Sequence, residues 1–427
     1  MSRTEEVSAL ASMRAHSREW LQIALAMLVA LPGPVLHTLE LTGAPHPHMA
    51  SEVEALIFGV SILGAATILV WASEVAEQLV SATLALAILA IIAVLPEYAV
   101  DLYFAWTAPG NPENAGFALA NMTGANRLLV GFAWPLIFFI FWMRERKREL
   151  HVGEESSIGL IFLGVATIYS FSIPLRGHLS LIDSVVLISM FVAYLVLSSR
   201  APPREEAELV GPAQAIDALS HRGKWIAIIG LFAFSAGAVF ASAEPFATAL
   251  VDSGESLGID EFILVQWVAP LASEAPEFIL AALLALRGRA IAGMTLLISS
   301  KVNQWTLLVG SLPLAYAISD QSLAPLPMDS RQVEEVFLTA GQSLFAVAIL
   351  MSLSLNAREA TLMFLLFIGQ LFFPDPTVRW AFGVLYVVLA MGWLIVERRQ
   401  VPALVQVARE ELKRGSKGET GPPKLGP

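Results

Sequence analysis

The stretch Leu95-Pro96-Glu97-Tyr98 recurs as Ala275-Pro276-Glu277-Phe278, and each copy stands in a long run of leucine, alanine and aromatic residues. A polar helix start follows each. Asn121-Met122-Thr123-Gly124-Ala125-Asn126 precedes Leu128-Leu129-Val130-Gly131, and Ser299-Ser300-Lys301-Val302-Asn303-Gln304 precedes Leu307-Leu308-Val309-Gly310. Two blocks with the same features in the same order indicate an internal duplication. Proline cannot donate to the preceding turn and bends a helix, so Pro96 and Pro276 each free a carbonyl beside a carboxylate.

The surrounding chain is that of a membrane protein. Of 427 residues 56% are hydrophobic and 15% charged, with a mean hydropathy of +0.67, a balance that argues against a soluble domain, disorder or nucleic-acid binding. The net charge of −11 comes from 37 acidic and 26 basic residues, and in a membrane protein their positions say more than their sum. With no cysteine, disulfides, thiolate metal sites and cysteine nucleophiles are excluded.

A spanning helix needs about 20 mostly apolar residues. Twelve segments qualify as candidates: Trp20 to Thr38, Ala55 to Leu79, Leu84 to Trp106, Phe117 to Trp142, Ile158 to Leu175, Leu181 to Ser198, Trp225 to Leu250, Phe262 to Leu286, Ala290 to Ile318, Val333 to Leu353, Ala360 to Phe373 and Val378 to Val396. Ala360 to Phe373 is short enough to be re-entrant. The first segment has signal-peptide features, but Pro32, Pro34 and the polar stretch before Ala50 fit a cleavage signal poorly.

With the amino terminus inside and sides alternating, 21 basic residues fall in cytoplasmic connections, three (Arg176, Arg331 and Arg379) outside, and Arg127 and Lys301 within spans. This asymmetry places both termini in the cytoplasm of a multi-pass cell-membrane protein. It also sends the Glu97 helix outward and the Glu277 helix inward, so the copies are inverted. Inverted repeats with polar, proline-interrupted helices in matching positions point to a secondary transporter with its site at the midplane. The expected fold is an all-α polytopic helix bundle of twelve spans. Its parts are an amino-terminal segment with an extra span and external loop (1–54), a first repeat half (55–198), a cytoplasmic linker (199–224), a second repeat half (225–373), an extra span (374–396) and a cytoplasmic, solvated tail (397–427).

The paired Pro-Glu helices, each followed by an Asn-containing helix, resemble the alpha repeats of the calcium/cation antiporter superfamily, which includes the sodium/calcium exchangers. The resemblance covers most of Ala55 to Phe373. It implies that Glu97 and Glu277 are the motif glutamates that coordinate calcium, sodium or protons. Asn121 matches the Asn of the first Gly-Asn, and Asn126 and Asn303 match the last Asn of the second element. The chain departs from the family pattern where Ala93-Val94 and Ser273-Glu274 replace Thr-Ser, where Gly124-Ala125-Asn126 replaces Gly-Ser-Asn, and where Lys301 replaces a glycine.

Beyond the first three residues of each apolar segment stand seven carboxylates: Glu74, Glu77, Glu97, Asp101, Glu244, Glu274 and Glu277. Each costs about 3 kcal/mol or more to insert ionised unless paired, protonated or coordinating. Glu97 and Asp101 are four apart and Glu274 and Glu277 three apart, so each pair shares a helical face. Metal-ligand candidates are therefore Glu97, Glu277, Asn126, Asn303, Glu274 and Asp101, with Lys301 and Arg127 as coupling or charge-balancing residues. Against this stand structural alternatives: Glu97 and Glu277 in salt bridges with Lys301 or Arg127, Asp101 and Glu274 as counter-charges, and the asparagines as interhelical glue. Lys301 itself either takes the place of a second cation or exchanges a proton. The seven histidines lack ligand spacing.

Hard divalent cations take several oxygens. Burial favours the neutral form of an empty carboxylate and a bound cation the charged form, so cation and proton compete for the same oxygens. The expected function is antiport of calcium or a similar cation against sodium or protons. No enzyme activity, cofactor or nucleic-acid partner is expected, nor ATP, since no phosphate-cradling loop is present; the partners are inorganic cations and the bilayer. The alternatives are a sodium/proton antiporter, an intramembrane metalloprotease and a non-transporting membrane protein.

Overall fold

A computed structural model describes residues 16–45, 49–79, 95–201, 209, 211–371 and 375–416. Among them eight helices are long and apolar enough to cross a bilayer: Ser17–Thr42, Ser51–Ala76, Glu113–Glu145, Glu154–Arg176, Leu181–Ser198, His221–Leu257, Ser330–Leu350 and Pro376–Val396. A ninth, Glu261–Leu286, bends by 54° between Ala275 and Glu277, where Pro276 removes a helical donor. Three expected spans remain. Leu84 to Trp106 lies partly on residues outside the described set, and its described part is the helix Leu95–Thr107. The segment Ala290–Asp320 is helical, but the polar run from Ser299 to Gln304 dilutes its apolar character. Ala357–Leu371 has 15 residues, about 22 Å of helix against a hydrocarbon core of about 30 Å, as short as its sequence suggests.

The chain divides into two compact units, Met1–Asn121 with Glu206–Glu277, and Met122–Glu205 with Phe278–Pro427. Each draws on both repeat halves. In the first unit the helices Ser51–Leu79 and His221–Leu257 pack along one another. The core there includes Ile23, Ile68, Ala72, Val75, Ile216 and Ile228. A small residue lets Ser17–Ala30 approach Ser51–Leu79 as well: a Cβ at Gly64 would stand 3.0 Å from the backbone of Ala26 and of Ala30, the packing mode of membrane helices. His221–Leu257 starts where the Ser220 hydroxyl accepts from the Gly223 amide (3.2 Å) and stops at Gly258, whose φ of 64° suits glycine.

In the second unit Ser330–Leu350 is buried along most of its length against Pro376–Val396 and Ser157–Ser170. Two short antiparallel ladders tie connections together, Glu149–His151 with Ser354–Asn356 and His178–Leu179 with Leu326–Pro327. Capping boxes start Leu181–Ser198 (Ser180 with Asp183) and Ser330–Leu350 (Asp329 with Gln332). The tail corrects one expectation. Gln400–Ser416 is a helix rather than a solvated end: Leu404, Ala408 and Glu411 recur every three or four residues and are buried, the helix packs on Ser157–Ser170, and Arg414 pairs with Glu154 at 3.3 Å.

Both copies of the duplication interrupt their second helix with a π turn, at Leu129–Ala133 and at Gln304–Leu308. A proline follows each, Pro135 and Pro313. Its missing amide leaves the carbonyl of Gly131 or Val309 without the usual helical donor.

Candidate carboxylate site

In the first unit, Leu95–Thr107 carries Glu97 and Asp101, and Glu261–Leu286 carries Glu274 and Glu277. All four are buried, at 1%, 0%, 2% and 4% relative exposure. The structure brings them together. Glu274, Asp101 and Glu277 all stand near enough to Glu97 for their charges to act on its carboxyl, Glu274 most strongly. Asp101 accepts a hydrogen bond from the Asn121 side-chain amide at 2.7 Å. Buried carboxyls gathered in this way offer only acceptors when ionised, and a proton or a cation among them relieves the cost. Among the described residues no three of His, Asp or Glu converge tightly enough to hold a metal as they stand. Of the remaining intramembrane carboxylates, Glu74 is partly buried and Glu244 is exposed. The hydroxyl of Ser273 bonds back to Ala269 O at 3.2 Å.

The other predicted residues belong to the second unit. Asn126 donates its amide to Met122 O (2.8 Å) and accepts at Oδ1 from Lys301 Nζ (2.6 Å). Lys301, with 0% exposure, also reaches Asn126 O at 3.2 Å and stands 4.7 Å from the centre of the Trp305 ring. Asn303, at 2% exposure, precedes the π turn. Arg127 forms a buried ion pair with Glu335, Nη2 to Oε2 2.6 Å.

Glu334 and Glu335 had no place in the sequence reading, and Arg379 was assigned to an external connection. All three are buried. Arg379 bonds Glu334 through Nε (2.9 Å) and Nη2 (2.8 Å) and approaches Glu335 Oε1 at 3.7 Å. Gln342 donates to Arg127 O (3.3 Å) and accepts from Gln370 (3.4 Å). The available signal was charge complementarity, since acidic residues open one span and an arginine opens another at the same side of the membrane.

The family model described as "sodium/calcium exchanger protein" matches residues 54–200 and 227–375. The chain belongs to this family. As an exchanger-family protein with many apolar helices, it is a multi-pass integral membrane protein. The solved structure of an H+/Ca2+ exchanger, CAX, is 41% identical, with a TM-score of 0.87 over 95% of this chain and 100% of that one. Native YfkE (17% identity, TM-score 0.59, 88% and 99% covered) and the sodium-calcium exchanger NCX_Mj (18%, 0.50, 75% and 97%) share the fold. No curated protein matches the sequence. In this family member the matched segments contain both Pro-Glu helices, both asparagine-bearing helices and Lys301.

Proposed function

We propose that the protein is a secondary active antiporter that exchanges calcium for protons across the membrane. One observation carries this reading: Glu97 and Glu274, on separate helices, are buried near one another, with Asp101 and Glu277 close by. Such a pair accepts either a proton or a divalent cation, and the two occupants exclude one another. The 41% identity to a protein named as an H+/Ca2+ exchanger supports calcium and the proton as the ions.

Glu97, Glu274, Glu277 and Asp101 supply charged oxygens in this scheme. Asn121 orients Asp101. Loading neutralises the acidic groups, so the site crosses a low-dielectric barrier when occupied and resists crossing when empty and ionised. No bound cofactor is required. Both termini lie in the cytoplasm, as the distribution of Lys and Arg implies. Because the chain lacks cysteine, Ser2→Cys and Gly426→Cys tested with a membrane-impermeant maleimide report each end directly.

The decisive experiment is calcium uptake into proteoliposomes under an imposed pH gradient. The wild type accumulates calcium with the gradient and stops when a protonophore collapses it. Glu97→Gln and Glu277→Gln each reduce the rate at least tenfold. Uptake indifferent to the pH gradient, or retained in both variants, rejects the assignment.

A further inference from the structure

Lys301 lies in the second of the two matching polar segments, and its side chain has a defined destination. The Nζ atom takes both oxygens of one residue, Asn126 Oδ1 at 2.6 Å and Asn126 O at 3.2 Å. The Trp305 ring lies 4.7 Å away, four residues on and on the same helical face. Two oxygens and an aromatic face are the surroundings of a desolvated monovalent cation. Asn126 is held for this role, because its amide nitrogen donates to Met122 O at 2.8 Å and so turns Oδ1 towards the ammonium.

We propose that Lys301 is a tethered cation, occupying the oxygens a sodium ion would otherwise take at Asn126, and that it thereby sets the proton rather than sodium as the counter-ion. A second monovalent charge at the same oxygens would be opposed by the ammonium in a low-dielectric setting. A proton titrates carboxylates and needs no amide oxygen, so the ammonium leaves proton coupling open. The transport consequence rests on the exchange reading above; the binding consequence rests on the Lys301–Asn126 geometry alone.

The test is thermal unfolding of the purified full-length chain, titrated with sodium chloride against choline chloride at constant ionic strength. A ligand that binds the native state raises its stability with a saturable concentration dependence. The wild type and Lys301→Arg stay flat. Lys301→Met, which keeps the stem and removes the charge, acquires a saturable sodium response that disappears in Lys301→Met/Asn126→Ala. Lys301→Gln gives the same readout if the methionine variant fails to fold. In proteoliposomes a sodium gradient accelerates calcium flux at least tenfold in Lys301→Met and leaves the wild type unchanged. Saturable sodium binding to the wild type, or none to the folded neutral variants, overturns the proposal. Sodium binding gained by Lys301→Met with no calcium flux in any protein would remove the exchange reading while the tethered cation stands.

Discussion

Asp101 shows what a single residue demands in this environment. Its carboxylate is fully buried, and one oxygen depends on the Asn121 amide at 2.7 Å. Asn121→Leu removes that donor while keeping the number and branching of the side-chain heavy atoms. It is expected to destabilise the protein by about 1–3 kcal/mol, the penalty of an unmet buried acceptor, as a lower unfolding temperature in detergent. Asn121→Ser, which can donate, should recover part of the loss. The burial of Glu97, Asp101, Glu274 and Glu277 was legible in the sequence because charge inside an apolar run is conspicuous, and helical spacing sorts it into faces. The Asn121–Asp101 bond was not, since its partners are 20 residues apart on different helices and no periodicity links them. The choice of Asn126 by Lys301 and of Glu335 by Arg127 was equally hidden, because pairing depends on how helices pack rather than on spacing along one of them. Glu334 and Glu335 escaped notice because they open a span, where acidic residues are ordinarily solvated.

At the level of elements, the paired π turns are the clearest trace of the duplication beyond the motif itself. In the first, Gly131 packs so closely on the Phe367 ring that a Cβ would overlap it. Gly131→Val is expected to cost about 1–3 kcal/mol through overpacking, and Phe367→Ala in the same chain should restore part of it, measured as a double-mutant cycle on unfolding temperature. The Arg127–Glu335 pair gives a second element-scale prediction, since it ties Glu113–Leu128 to Ser330–Leu350. Glu335→Leu leaves a buried guanidinium without its partner and should cost about 3–5 kcal/mol, whereas Arg127→Leu/Glu335→Leu should lie closer to the wild type. Spans were readable wherever hydrophobicity was continuous. The Gln400–Ser416 helix was missed because its many charges mask an apolar stripe only one residue wide, Leu404 and Ala408.

Across the whole molecule, the inverted copies, the apolar helices and the family membership agree on a membrane-embedded exchanger. The two Pro-Glu copies stand out in the sequence because duplication leaves motifs in register. The sequence did not convey the compact units, which depend on contacts between distant segments. Each unit takes one stretch from before the linker and one from after it. The Pro-Glu motifs of both copies belong to the first unit, and Asn126 and Asn303 both belong to the second. The molecule is thus interleaved, and severing the backbone between residues 202 and 208 yields two fragments that each hold an incomplete portion of both bodies. Neither fragment should accumulate when produced alone, while the two made in one cell should complement each other and restore calcium uptake. A rupture in the chain there would leave each body to be assembled from two separate polypeptides.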